Sequence, residues 1–169
     1  MRNLMSSEPT SLSGGQDIIL AFLLTLFLTG VFAFPGFAYA TSRLLPGRYY
    51  QLKNPKHLKR VYALLGVKYF KVVLLIAFWG AKKNKQKYFN GTRRGFQNLI
   101  YQSKQSEFGH LGALLAILAA TCILLFERYF ILAAIVMLIN VVGNLYPIVL
   151  QRHHRLRVER LMNSQETIF

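Results

Sequence analysis

Acidic side chains are scarce in this chain of 169 residues: Asp and Glu together number 6 against 21 Lys and Arg, a formal net charge of +15. No carboxylate occurs between Asp17 and Glu107, so Glu107 is the one acid available to the long basic middle of the chain. Cysteine is nearly absent. Cys122 stands alone inside an apolar run, which excludes a disulfide framework and reads as packing. Common catalytic signatures are missing as well, with no Gly-x-Ser-x-Gly elbow, no P-loop and no Gly-x-Gly-x-x-Gly turn. Glu107, His110, His153 and His154 could be imagined around a metal. Adjacent histidines diverge on a helix, however, and there is no His-Glu-x-x-His pattern, so neither a metal nor a cofactor is expected. No internal repeat is visible.

What the chain does have is apolar length. Hydrophobic residues make up 53%, and residues 18 to 42 carry no charge for 25 positions, more than the roughly 20 a spanning helix needs. Two further uncharged runs, 111 to 126 and 129 to 150, are separated only by Glu127-Arg128, which reads as the tight turn of a helical hairpin. The predicted fold is therefore all-α, an integral membrane protein with about three transmembrane helices, at 18–40, 109–126 and 129–150. Of the 21 basic residues, 15 fall between 41 and 110 and four after 151. Cytoplasmic loops carry an excess of Lys and Arg, so the central segment and the carboxyl tail are expected inside the cell membrane, with the amino terminus and the 127/128 turn outside. A rival reading treats Ala38-Tyr39-Ala40 as a signal-peptidase site. It would leave the basic centre outside, against the same rule.

Residues 1 to 17 are Ser- and Gly-rich and read as a flexible amino terminus, with 18 to 169 as one helical membrane domain. Pro35-Gly36 predicts a kink near the inner end of the first span. From about 58 to 81 the chain is mostly apolar, but Lys68 and Lys71 leave only ten uncharged residues, too few to span. Each lysine would cost about 3 kcal/mol at mid-membrane, so an interfacial or re-entrant helix is expected. The cluster Lys82–Lys87 and the Asn90-Gly91-Thr92-Arg93-Arg94-Gly95 loop complete a basic face suited to anionic membrane lipids. Topology accounts for these charges, and nucleic acid is not an expected partner.

Chemistry concentrates where the hairpin opens on the basic side. Counting outward from Arg128 puts position 110 level with 146, so Glu107, His110, Tyr146 and Gln151 should share one depth. Residues three apart lie on one helical face. Glu107 could therefore orient His110, the side chain best suited to act as a general base near neutrality. Equally, Glu107 could simply complement the positive end of its helix. Gln151-Arg152-His153-His154-Arg155-Leu156-Arg157 has the same two faces: a basic stop after a spanning helix, or, through Arg152, Arg155 and Arg157, a set of planar donors for a phosphate or carboxylate. Asn140 and Asn144, inside the third span, read first as amides bonded to a neighbouring helix.

With Glu107-x-x-His110 before one apolar run, and Asn144 seven residues before Gln151-Arg152-x-x-Arg155-x-Arg157 after the next, the chain resembles the glycosyl-4,4'-diaponeurosporenoate acyltransferase family over roughly residues 60 to 160. The family pattern at the second site is Gln-Arg-Tyr-Asn-Arg-x-Arg, whose middle pair is here His153-His154, and its proline is shifted to Pro147. Trp79, Lys82 to Lys87 and Gly91 look like the family's Trp- and Lys-rich stretch. The amino-terminal third matches poorly. A different family, the soluble-headed glycerolipid acyltransferases, is not expected, because neither His57 nor His110 is followed by an aspartate at its spacing.

The resemblance implies transfer of a fatty acyl chain to a sugar hydroxyl of a glycosylated C30 carotenoid acid, the last step toward staphyloxanthin-type pigments. The partners it implies are a fatty acyl donor and a glycosylated lipid acceptor. On this reading His110 deprotonates the acceptor hydroxyl, Glu107 orients His110, and Gln151 or Asn144 stabilises the oxyanion. Arg152, Arg155 and Arg157, with Tyr146 at the same depth, bind substrate. The alternative is a non-catalytic membrane protein whose basic face docks anionic lipid or a partner enzyme.

Overall fold

The structure, a computed structural model, describes residues 14–77 and 93–166. Most of the expected flexible terminus, Trp79, the Lys82–Lys87 cluster and the Asn90-Gly91 loop lie outside the described residues. Among the described residues there is no strand. Three helices are long and apolar enough to cross a membrane, Gly14–Ala33, Arg94–Phe126 and Phe130–Met162. The molecule is an all-helical, multi-pass membrane protein.

The first helix, α1 (Gly14–Ala33), stops short of position 40 for a local reason. Phe34 still donates its N–H to Gly30 O at 2.9 Å, but the next residue is Pro35, which has no N–H to continue the ladder. A single turn, α2 (Pro35–Ala38), follows, then a 3₁₀ turn at Thr41–Arg43 and another short turn, α3 (Gly47–Tyr50). The latter places Tyr49 and Tyr50 beside the later helices.

The single interfacial helix expected over 58–81 is two helices, α4 (Pro55–Leu64) and α5 (Val67–Ala77). Gly66 divides them with φ at 64°, the left-handed region in which a helix ends. Residues 78–81 of that expectation lie outside the described residues. Tyr62 and Val67 bury against Leu150 and Leu156. The Phe70 ring lies 5.0 Å from Tyr146, and Tyr62 lies 5.8 Å from His153. The α4–α5 pair thus leans on the third long helix and runs antiparallel to it, toward the apolar zone.

The second long helix, α6 (Arg93–Phe126), ends in a tight turn in which Tyr129 N–H bonds Leu124 O and Arg128 N–H bonds Leu125 O. That is the two-bond ending of a Schellman motif, and it forces Arg128 to φ 63°. The third helix begins as α7 (Phe130–Asn140), widens into a π-turn at Val141–Leu145, and continues as α8 (Tyr146–Glu166). Tyr146 N–H reaches back five residues to Val141 O. Pro147 explains the widening, since its ring would collide with the carbonyl four residues before it in a regular helix.

Ala21, Ala113, Ile117, Leu132 and Val136 form the core where α1, α6 and α7 meet. Burial of apolar groups drives little between helices in lipid, so close backbone approach carries the packing. A Cβ on Gly109 would come within 3.1 Å of Phe32 O, and one on Gly112 within 2.4 Å of the Phe32 ring. Glycine at both positions is what brings the end of α1 onto α6. Large apolar side chains such as Phe22, Phe27, Leu64 and Tyr69 face outward, as a lipid-facing surface requires.

Candidate functional site

Two polar systems sit one helical turn apart on the basic half of the bundle. The deeper one draws on all three long helices. His110 of α6 places Nδ1 3.0 Å from Asn144 Oδ1. Asn144 Nδ2 donates to Asn140 Oδ1 at 3.0 Å and to Thr29 Oγ1 of α1 at 3.1 Å. Asn140 Nδ2 in turn donates to the Leu114 carbonyl at 3.2 Å. Both asparagines are fully buried. An unpaired amide in such a place would be costly, about 1–3 kcal/mol per group, and the network leaves neither amide short of partners.

The shallower system is ionic. Glu107, fully buried, accepts a hydrogen bond from Arg152 Nε at 2.7 Å through Oε1 and forms an ion pair with Arg155 Nη2 through Oε2. Arg155 also donates from Nη1 to Ser103 Oγ at 3.0 Å, and the Ser103 hydroxyl donates to the Gln151 backbone carbonyl at 3.2 Å. Gln151 Nε2 donates to Ser106 Oγ at 3.1 Å. Short α3 closes the system from the side: the Arg152 guanidinium stacks 4.7 Å from the Tyr49 ring, and Arg155 lies 5.5 Å from Tyr50. A carboxylate held between two guanidiniums leaves one net positive charge. Arg155 is buried, whereas the Arg152 side chain is 31% exposed.

Burial, and after it the Glu107 charge, pushes the Tyr50 phenol up to about 12. Tyr49 and Tyr62 are raised too, burial again being the main cause. All three phenols therefore remain neutral throughout the physiological range.

The residues singled out from the sequence divide between these systems. Glu107, Gln151, Arg152 and Arg155 meet in the ionic one. His110 and Asn144 meet in the amide one, and the partner of His110 is Asn144 rather than Glu107. Tyr146 is half-buried against Phe70, and Arg157 is exposed on another face of α8, away from Arg155. Thr29, Asn140, Tyr49, Tyr50, Ser103 and Ser106 belong to the site but carry weak sequence signals. Only the spacing Asn140-x-x-x-Asn144, two amides one turn apart in an otherwise apolar run, could have been read as a pair. Among the described residues, no group of three His, Cys, Asp or Glu side chains is placed to hold a metal ion.

Fold and site together define a polytopic membrane protein with a buried histidine–amide network beside a clamped carboxylate. The chain belongs to the glycosyl-4,4'-diaponeurosporenoate acyltransferase family, whose model matches residues 46–164. The matched stretch takes in α3 through all but the last two residues of α8, and both polar systems apart from Thr29. No curated protein and no solved structure matches the chain.

Proposed function

We propose that this protein transfers a fatty acyl chain to a sugar hydroxyl of a glycosylated carotenoid or a related glycolipid, with His110 as general base. The observation that carries the proposal is the His110–Asn144 hydrogen bond of 3.0 Å, because a histidine whose Nδ1 proton is engaged by a fixed acceptor presents Nε2 as a free base. Membership of an acyltransferase family supplies the reaction class.

In this mechanism Nε2 takes the proton of the acceptor hydroxyl as its oxygen attacks the acyl carbonyl of a thioester donor. The carbon–oxygen bond forms, the tetrahedral oxyanion collapses, and the carbon–sulfur bond breaks. The thiolate leaves with the proton that His110 then returns. Asn144 has both amide groups committed, so Gln151 is the better oxyanion donor, a contribution typically about 3 kcal/mol. Glu107 acts by holding Arg152 and Arg155, and Arg152 receives the donor phosphate or an anionic headgroup. A reaction centre at headgroup depth lets both lipid tails stay in hydrocarbon. The basic face lies on the cytoplasmic side of the cell membrane, by the excess of Lys and Arg there.

The test compares lipid extracts of cells making the wild-type chain and His110→Ala by mass spectrometry. A glycolipid lost in the variant, with its precursor accumulating one fatty acyl mass lower, is the expected result. Identical profiles with both proteins in the membrane would reject the mechanism and favour a non-catalytic protein that docks lipid or a partner enzyme through its basic face.

A further inference from the structure

We propose that Asn140, which touches neither His110 nor any atom of the reaction above, is a positioning residue that fixes the tautomer of His110 through Asn144. The inference rests on the reading of His110 as the base, and it adds the residue that sets which nitrogen can serve.

The chain of constraints starts at a group with no choice. The Leu114 carbonyl can only accept, so the Asn140 atom 3.2 Å away must be the amide nitrogen. Asn140 then has its oxygen turned to Asn144, which must answer with its own nitrogen at 3.0 Å. Asn144 has only its oxygen left for His110, 3.0 Å from Nδ1. The proton between them must sit on Nδ1, and Nε2 keeps its lone pair. Each amide flip, ordinarily a free choice, is dictated by the one before it.

Burial makes the sequence of choices binding. Asn140 and Asn144 have no exposed surface, so water cannot substitute for a partner if one amide reverses. Thr29 is the one member without a preference. Its hydroxyl both donates to Asn144 Oδ1 at 3.3 Å and accepts from Nδ2 at 3.1 Å, and a hydroxyl can rotate to satisfy either orientation. Thr29 therefore supports Asn144 without setting its direction. The π-turn at Val141–Leu145 begins directly after Asn140 and contains Asn144, and such turns recur at functional sites.

The experiment is nitrogen NMR of histidine-labelled full-length protein in lipid nanodiscs, with the His110 signals assigned by their loss in His110→Gln. Wild type is expected to show a protonated Nδ1 and an unprotonated Nε2. Asn140→Leu, similar in shape but unable to bond Leu114 or Asn144, should give mixed or reversed tautomers and acyl transfer slower by up to about a hundredfold at unchanged donor KM, the lower end of what positioned proton transfer contributes. Thr29→Val should keep the wild-type tautomer. If Asn140→Leu does not fold, Asn140→Ala makes the same test. A wild-type His110 protonated on Nε2, or an unchanged tautomer in the folded Asn140 variants, would overturn the inference. If the tautomers behave as stated but His110→Gln still turns over, the relay stands and the base assignment falls.

Discussion

Glu107 and His110 lie three residues apart on α6 and yet belong to separate bonding systems, the carboxylate closed between Arg152 and Arg155 and the imidazole held by Asn144. Proximity along a helix predicted a pair. The competing partners on α8 decide otherwise, because two guanidiniums offset the cost of burying a carboxylate where a neutral imidazole could not.

The first prediction follows from that division. Glu107→Gln leaves Arg155 buried without its counter-charge, and the loss of one partner from such a pair typically costs about 3–5 kcal/mol. Thermal unfolding in detergent should fall markedly for Glu107→Gln and barely for His110→Gln. A Glu107→Gln protein of normal stability but without turnover would instead put the carboxylate in the chemistry.

The glycine contact between α1 and α6 supplies the second. Gly112→Ala drives a Cβ to within 2.4 Å of the Phe32 ring, so the ring or the helix must move. Overpacking of this kind costs about 1–3 kcal/mol. Combining it with Phe32→Leu should recover most of the loss. Additive destabilisation in the double variant would mean the two side chains do not meet.

Alkaline pH is the subject of the third. The Tyr50 phenol titrates at 10.0 when unfolded and is pushed to about 12 in the fold, first by burial and then by the charge of Glu107. A raised value means that the folded state holds the proton more tightly. The contribution to stability is thus complete below pH 10 and disappears as the pH climbs toward 12. Tyr50→Phe should flatten this part of the stability curve relative to wild type, which separates it from the general loss of positive charge.

The fourth concerns the hairpin turn. Arg128 adopts φ 63°, a conformation that costs an L-residue about 1–2 kcal/mol and glycine almost nothing. Arg128→Gly should therefore leave stability unchanged or raise it by up to about 1 kcal/mol, after allowing for the extra freedom of glycine when unfolded. A clear loss in chemical denaturation would show that the arginine side chain makes a contact worth more than the strain.

Much of this fold is legible in the amino-acid sequence. Uncharged runs bounded by cations mark the long helices, since hydrocarbon admits little else, and Glu127-Arg128 marks the turn between two of them. The division of 58–81 was not, because one glycine inside an apolar stretch gives no sign of whether it will be left-handed until packing on Leu150 and Leu156 demands it. Glu107, His110, Asn144, Gln151 and Arg152 stood out as polar residues at helix ends or in apolar runs. Their partnering did not, since it depends on the register between α6 and α8 and on the extra residue of the π-turn. Tyr49 and Tyr50 were hidden for another reason: they come from a distant short turn, and nothing in their surroundings predicts that they will lie against arginines a hundred residues later.

Asn144 and Arg152 are carried on one continuous helix, eight residues apart, which sets about 12 Å of backbone rise between the residue that holds the imidazole and the residue that holds the carboxylate. That interval is a ruler built of backbone, indifferent to side-chain rotamers and to the softness of the surrounding lipid. One inserted residue between them would lengthen it by only about 1.5 Å but swing everything beyond by about 100°. Arg152 would leave Glu107, and a change too small to alter hydropathy or helix length would uncouple the two halves of the site.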